Sequence, residues 1–196
     1  MLTDLYQSGQ RGPGLCDATD APVTVHQNRW EWQQLRRLYH QCRPARVLEV
    51  GTFHGGTLWG WLQADWPVTV VAVDTFTVHD GRAQFQQWAQ GMGHALHTIQ
   101  GDSRAPATAQ AAAAHGPYDW VFIDADHGEA AVRADWAAYA PLCRPGGLVL
   151  LHDINARPGY GVSVLWRELQ QAGYVTQEIN ARAGDPHPCG IGVVQV

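Results

Sequence analysis

The feature that most limits how this chain can fold is a regular alternation of short apolar runs with helical segments. Runs such as Val68–Val73 (VTVVAV) and Trp120–Ile123 (WVFI) are apolar along their whole length, which is typical of strands buried on both faces. Segments with helical spacing, such as Glu129–Tyr139, lie between them. This alternation predicts an α/β fold in which helices cover both faces of a mostly parallel sheet.

The order of the predicted elements indicates one domain with an N-terminal appendage. The predicted strands are 46–50, 68–73, 97–100, 120–123, 148–151, 175–179 and 191–196. The predicted helices are one that starts after Asn28 and ends before Pro44, then 57–64, 82–89, 106–114, 129–139 and 162–171. No helix separates the last two strands, so they are expected to pair as an antiparallel hairpin. Residues 1–27, rich in Gly, Pro and Thr, are interpreted as an arm or lid on a domain spanning 28–196.

Composition excludes several classes of protein. All 13 basic residues are arginine, so no lysine is present for a Schiff base, a Walker A loop or a kinase site. The net charge of -5 argues against nucleic-acid binding. Cys16, Cys42, Cys143 and Cys189 form no C-x-x-C pair, so their spacing indicates no zinc or redox motif. No signal peptide or membrane span is recognised, which predicts a cytoplasmic protein without a membrane partner.

Polar residues follow the predicted strands at the positions where an open α/β sheet binds its ligand. In such sheets, ligands lie at the carboxyl ends of the strands. The first strand is followed by a glycine-rich turn, and the next strands are followed by acids. These residues are Gly51, Gly55, Gly56, Asp74, Asp102, Asp124 and Asp153. The sequence therefore predicts one ligand site at this edge of the sheet.

The first turn and the next acid define the kind of ligand expected. The next glycine after Gly51 is Gly55, so the G-x-G-x-x-G pattern that binds a pyrophosphate is absent. Glu49 at the turn favours a cationic ammonium group and repels a diphosphate. Asp74 lies about 20 residues beyond Gly51, the distance typical of an acid that binds ribose hydroxyls. A phosphate-free aminoacyl nucleoside, S-adenosylmethionine, satisfies both conditions.

Several motifs, in the expected order, resemble those of class I S-adenosylmethionine-dependent methyltransferases. They are VLEVGTFHGGT, VVAVDTF, GDS, YDWVFIDADHGEAAVRADWAAYAPLCRPGGLVLLHDI and GVSVLWREL. The chain resembles most the bacterial branch that contains macrocin-type and catechol-like O-methyltransferases, over residues 30–196. The resemblance implies a Rossmann-like three-layer sandwich. Its seven-stranded sheet would have the order 3-2-1-4-5-7-6, with the antiparallel strand supplied by the C-terminal hairpin.

The resemblance also assigns cofactor contacts. Residues of the first turn would surround the methionine moiety: Glu49, Gly51, Thr52, Gly55 and Gly56. Asp74 would hold the ribose, while Asp102 and Ser103 would contact the adenine. Asp124 would face the methyl donor and the acceptor pocket.

Two mechanisms remain open for removing the acceptor's proton. In the metal-dependent branch of the family, Asp124 and Asp153 match the first two Mg²⁺ ligands, but Ile154 stands where the next ligand, an asparagine, is found. In the metal-free version, His127 or His152 acts as general base beside Asp124.

The acceptor is expected to be a small molecule methylated on a hydroxyl oxygen. Trp30, Phe76, Tyr160 and Trp166 are candidates for lining its pocket, and a homo-oligomer is left open. One alternative is a domain that binds S-adenosylmethionine without transferring its methyl group. Another is a serine hydrolase with a G-D-S motif, although only about 20 residues separate Ser103 from Asp124.

Overall fold

The computed structural model describes residues 25–155, 158–185 and 188–196. The predicted N-terminal arm therefore lies outside the described residues, apart from residues 25–27. Seven strands are formed: β1 (Arg46–Val50), β2 (Thr69–Asp74), β3 (Ala95–Gln100), β4 (Tyr118–Ile123), β5 (Cys143–His152), β6 (Val175–Ile179) and β7 (Ile191–Gln195). Six α-helices alternate with them: α1 (Arg29–Cys42), α2 (Gly56–Leu62), α3 (Arg82–Gly91), α4 (Pro106–Ala113), α5 (Glu129–Tyr139) and α6 (Val162–Gln171).

The strand order confirms the predicted topology. The sheet runs β3-β2-β1-β4-β5-β7-β6. Strands β1 to β5 are parallel, and β7 is antiparallel to both β5 and β6. Two buried clusters cover the two faces of the sheet, as expected for strands that are apolar on both sides.

Aromatic packing fixes the first helix over the middle of the sheet. The Asn28 side chain caps α1 by accepting from the backbone N–H groups of Trp30 and Glu31, as predicted for this position. The ring of Tyr39, on α1, lies 5.0 Å from that of Trp61 and 5.4 Å from that of Trp120. Some of the nine tryptophans of the chain therefore serve core packing.

The register of the central strands explains why the polar residues meet. Val50 of β1 is paired with Val73 of β2 and with Ile123 of β4, and Ile123 is paired with Leu151 of β5. The chain therefore leaves four neighbouring strands at nearly the same height. The residues that follow, which include Gly51, Asp74, Asp124 and His152, are neighbours for this reason.

Strand β5 begins earlier than the sequence indicated. The sequence predicted this strand only over 148–151, but it begins at Cys143 and includes Pro145-Gly-Gly, with a register shift between Tyr118 and Trp120 of β4. A Cβ on Gly147 would lie 3.0 Å from the carbonyl oxygen of Asp119. The absence of a side chain thus lets the irregular strand approach its neighbour.

No helix within the described ranges is long and apolar enough to cross a membrane.

Candidate active site

A cavity of about 530 Å³ opens at the carboxyl ends of β1 to β5. It is lined by residues of the glycine-rich turn and by residues that follow the next four strands: Gly51, Thr52, Phe53, His54, Gly56, Thr57, Asp74, Asp102, Ser103, Asp124, His127, His152 and Asp153, among others. This volume lies within the range of small-molecule and cofactor sites. The site is thus at the predicted edge of the sheet.

Gly51 allows the first turn to pass closely over the end of β4. Its φ is 91°, and a Cβ there would lie only 2.2 Å from the carbonyl oxygen of Asp124. Its backbone N–H donates to the carbonyl of Val73 and so extends the ladder between β1 and β2. Only glycine satisfies both the left-handed φ and the close approach.

The carboxylate of Asp74 organises the same turn from the neighbouring strand. Its Oδ2 accepts from the backbone N–H groups of Thr52 and Phe53, both at 2.8 Å, and its Oδ1 accepts from that of Phe76 at 2.7 Å. Asp74 also lines the cavity. Asp74 therefore holds the turn in shape, and its contact with a ribose stays a prediction.

Asp124 lies at the centre of a cluster of ionisable side chains. Its Oδ1 is 3.0 Å from Nδ1 of His152 and 3.6 Å from Nε2 of His127. Asp153, the next acid, lies 2.8 Å from Nε2 of His127 and 3.1 Å from Nδ1 of His152. Both histidines therefore contact both carboxylates.

The two carboxylates stabilise the protonated forms of the two histidines. Hydrogen bonds to Asp124 and Asp153 raise the pKa of His127 to about 9. Burial alone would lower the pKa of His152, but the charge of Asp124 and hydrogen bonds to both acids raise it well above its ordinary value. Burial raises the pKa of Asp153, yet hydrogen bonds from the two histidines outweigh this and hold it well below its ordinary range.

The backbone at Asp153 is strained. Its φ is 61°, in the left-handed region that non-glycine residues seldom adopt. Such a conformation costs on the order of 1 kcal/mol and is concentrated at functional sites. Here the strained residue is also the one whose carboxylate contacts both histidines.

Two residues assigned to the cofactor by sequence do not line the cavity. Glu49 lies inside β1 with no exposed surface, and its Oε1 accepts from the indole N–H of Trp61 at 3.0 Å. Burial raises the pKa of Glu49 to about 7. Gly55, with φ of 83°, packs instead against the ring of Phe85, where a Cβ would lie 2.4 Å away. The structure thus separates both residues from the ligand space that Gly51, Thr52 and Gly56 line.

Asp102 and Ser103 line the cavity at the end of β3, as predicted. The carboxylate of Asp102 is occupied by Arg104, whose Nε and Nη2 donate to it at 2.9 and 2.8 Å.

The side chain of Ser103 interacts with Asp135 of α5. Burial raises the pKa of Asp135 to about 6, and a hydrogen bond with the Ser103 side chain opposes that rise. Among the described residues no hydrogen bond joins Ser103 to a histidine, so the geometry of a serine hydrolase is not formed.

Of the four aromatic residues expected to line the acceptor pocket, one lines the cavity and three do not. Tyr160 lines the cavity, where its ring stacks on His127 at 4.5 Å. Trp30 instead lies under the guanidinium of Arg182, while Phe76 and Trp166 are buried and do not line the cavity.

Sequence reasoning missed some of the polar residues around Asp124. Gln27 is buried, and its Nε2 donates to Oδ2 of Asp124 at 3.0 Å. His26 and His54 line the cavity, and the ring of Phe53 lies 4.0 Å from that of His54. Residues 26–28 lie in a segment interpreted as an arm and helix cap, so no strand-end signal was available to find Gln27.

The charge of the cluster predicts a pH-dependent stability for the metal-free protein. Because the folded-state pKa of His127 is raised, its contribution is complete below pH ~6.5 and lost as the pH rises through about 9. We expect His127→Gln to lower the free energy of unfolding by about 1–2 kcal/mol more at pH 6 than at pH 10. Urea unfolding of both proteins with a chelator present measures this difference. If His127→Gln lowered the free energy of unfolding equally at pH 6 and pH 10, the assigned ion pairs of His127 would be contradicted.

The class I methyltransferase fold is defined by the order of the strands in the sheet, together with the glycine-rich turn and the acid-lined cavity. A family model described as a methyltransferase domain matches residues 48–154, more than half of the chain. The chain therefore belongs to the methyltransferase domain family.

Individual relatives share the fold over much of the chain. An O-methyltransferase from Bacillus cereus in complex with SAH has a TM-score of 0.66 and 16% identity, covering 91% of this chain and 86% of that one. MycE from the mycinamycin biosynthetic pathway, in complex with Mg, SAH and mycinamycin VI, has a TM-score of 0.57 and 22% identity, covering 85% of this chain and 49% of that one.

Curated relatives match over shorter lengths. Mycinamicin VI 2''-O-methyltransferase of Micromonospora griseorubida is 41% identical over 69 residues, which are 34% of this chain and 17% of the relative. The chain thus spans only a small part of such a relative's length.

Proposed function

We propose that this protein transfers a methyl group from S-adenosylmethionine to a hydroxyl oxygen of a small molecule. The observation that carries the proposal is the convergence of the Gly51 turn, Asp74 and Asp124 on one cavity. The turn brings the backbone close to the ligand, and Asp74 presents a carboxylate at the distance along the chain that suits ribose. SAH in related O-methyltransferases of the same fold supports this cofactor.

Residues of the cluster have distinct tasks in the proposed reaction. Methyl transfer from a sulfonium needs an aligned acceptor, exclusion of water and removal of the acceptor's proton. With a pKa of about 9, His127 is protonated at neutral pH in the metal-free chain, so it is poorly suited to act as the base. We assign proton removal to the carboxylate of Asp124: burial raises its pKa, but the charge of His152 and hydrogen bonds from both histidines outweigh this and keep it ionised at neutral pH. His152 holds this carboxylate from within the protein, and His127 orients the acceptor oxygen by donating to it.

The donor set of the cluster also fits a divalent cation. Asp124, His127, His152 and Asp153 offer ligand atoms that all lie within 4.8 Å of one another. Two carboxylates with imidazole nitrogens suit Mn²⁺ or Fe²⁺ better than Mg²⁺, which prefers oxygen alone. A cation held by Asp124, Asp153 and His127 would acidify the acceptor hydroxyl. The cation would also supply the positive charge that protonated His127 provides when no cation is bound.

Asp74→Ala tests the cofactor site. We expect calorimetry to show S-adenosylmethionine binding weakened roughly 10–100-fold, because the variant loses both the ribose acceptor and the partner of two turn amides. Asp65→Ala is the matched control, since the Asp65 side chain is 73% exposed and pairs only with Arg43 among the described residues.

Binding that is unchanged in Asp74→Ala would contradict the assigned cofactor site. Turnover is measured separately, as release of S-adenosylhomocysteine with a panel of phenols and hydroxylated sugars. Wild-type protein that binds the cofactor and methylates none of them would favour a binding domain without transfer.

A further inference from the structure

A second group of ligand-type side chains lies behind the cavity cluster, inside the protein. Glu31 of α1, His152 at the end of β5 and Cys189 before β7 are all buried, with exposed fractions of 0%, 4% and 8%. One ligand atom from each lies within 4.8 Å of the other two. The methyl transfer proposed above uses neither Glu31 nor Cys189.

The two nitrogens of His152 face different surroundings. Nδ1 is engaged with Asp124 at 3.0 Å and with Asp153 at 3.1 Å. Nε2 is buried, has no hydrogen bond to a nitrogen or oxygen atom of the described residues, and has the Cys189 thiol beside it, so it is the nitrogen left for Glu31 and Cys189. Histidines that bind metals usually donate their other N–H to a carboxylate, which fixes the ring and makes the free nitrogen a better ligand. His152 already has this arrangement.

The carboxylate of Glu31 uses only one of its two oxygens in hydrogen bonds to the backbone. Its Oε1 accepts from the backbone N–H groups of Gly190 at 2.8 Å and Ala181 at 2.9 Å. Its Oε2 is buried and has no hydrogen-bond partner within the described ranges. A buried carboxylate oxygen without a partner is costly, and so is a buried imidazole nitrogen with only a thiol beside it; their closeness points to a ligand between them.

The chemistry of the three groups selects the ligand. A thiolate, an imidazole and a carboxylate are characteristic ligands of Zn²⁺, whereas Mg²⁺ avoids sulfur. We propose that Glu31, His152 and Cys189 form a buried site for a zinc-class cation, distinct from the cavity site of Asp124, Asp153 and His127. Binding there would release the proton of the Cys189 thiol and any proton on Nε2 of His152.

Such a site would connect three parts of the fold. Glu31 belongs to the first helix, His152 to the central sheet and Cys189 to the segment that leads into β7. The cation would fix Nδ1 of His152 as a donor toward Asp124 and Asp153. The buried site would therefore position the carboxylates of the cavity without touching the substrate.

Cobalt provides the direct test, because a thiolate ligand gives Co²⁺ an intense near-ultraviolet charge-transfer band. The full chain is stripped with a chelator and titrated with Co²⁺. We expect the band to appear in the wild-type protein with a stoichiometric amount of Co²⁺ and to be lost in Cys189→Ser. Cys42→Ser is the matched control: this thiol is exposed on α1, and the band should remain.

Two further variants separate the buried site from the cavity. Glu31→Gln keeps the thiolate, so the band should persist while the affinity for Co²⁺ falls at least roughly tenfold. His127→Gln removes a ligand of the cavity site only, so the thiolate band and the Co²⁺ affinity measured from that band should both be unchanged. The proposal is overturned if the wild-type protein gives no band, if Cys189→Ser retains it, or if His127→Gln abolishes it. Circular dichroism checks that each variant is folded.

Discussion

Asp124→Asn is expected to lower kcat by about 10²–10⁴, the range typical for removing a positioned proton acceptor. The substitution keeps the size of the side chain but removes the negative charge that His127, His152 and Gln27 surround. Both proposed roles of this carboxylate, proton acceptor and cation ligand, require that charge. Release of S-adenosylhomocysteine with the best acceptor of the panel measures the effect.

Asp126→Asn is the matched control for this substitution. Asp126 lies two residues further along the same loop, is half exposed and accepts from the backbone N–H of Gly128. The kcat of the Asp126→Asn variant should stay within about tenfold of wild type: Asp126 also lines the cavity, but its carboxylate is not one of the two that pair with His127 and His152. An Asp124→Asn variant with wild-type kcat would eliminate both proposed roles.

Gly51→Ala is expected to destabilise the fold by roughly 2–5 kcal/mol and to weaken S-adenosylmethionine binding at least ~100-fold. The new methyl group would lie 2.2 Å from the carbonyl oxygen of Asp124 and 2.7 Å from Cα of Ala125, at a φ of 91°. Because both contacts are backbone atoms, the turn and the end of β4 must separate. Urea unfolding and calorimetry measure the two effects.

Gly93→Ala separates backbone strain from steric clash. Gly93 also has a positive φ, 75°, but a Cβ there would meet nothing within 4 Å. We expect this control to lose only about 1 kcal/mol and to bind the cofactor as the wild type does. If the two alanine variants behaved alike, the close approach of the turn to β4 would not be what matters at Gly51.

Local patterns in the sequence predicted the strands and the edge of the sheet where the ligand site lies, whereas the order of the strands followed from the family resemblance. Apolar runs such as Val68–Val73 mark buried strands, and parallel strands necessarily end together. The predicted ends of strands were less accurate where a local sequence signal opposed strand formation. Pro145-Gly-Gly, for example, is a chain-breaking sequence that nevertheless lies within β5.

Side-chain partners at large separations were not predictable. Glu49 was interpreted as facing a cation because of its position near the turn, but the indole N–H of Trp61 is its partner inside the protein. Gln27 reaches Asp124 from a segment without periodicity. Cys189 has no C-x-x-C neighbour, and only the folded chain brings it to Glu31 and His152.

The anchoring of Glu31 has a consequence for how the protein is made. The two amides that satisfy the carboxylate of this residue belong to Ala181 and Gly190, which follow it by 150 and 159 residues. While the nascent chain on the ribosome still lacks those residues, helix α1 would dock a carboxylate with neither donor available. The packing of α1 behind Asp124 is therefore expected to be completed only after Gly190 has been synthesised.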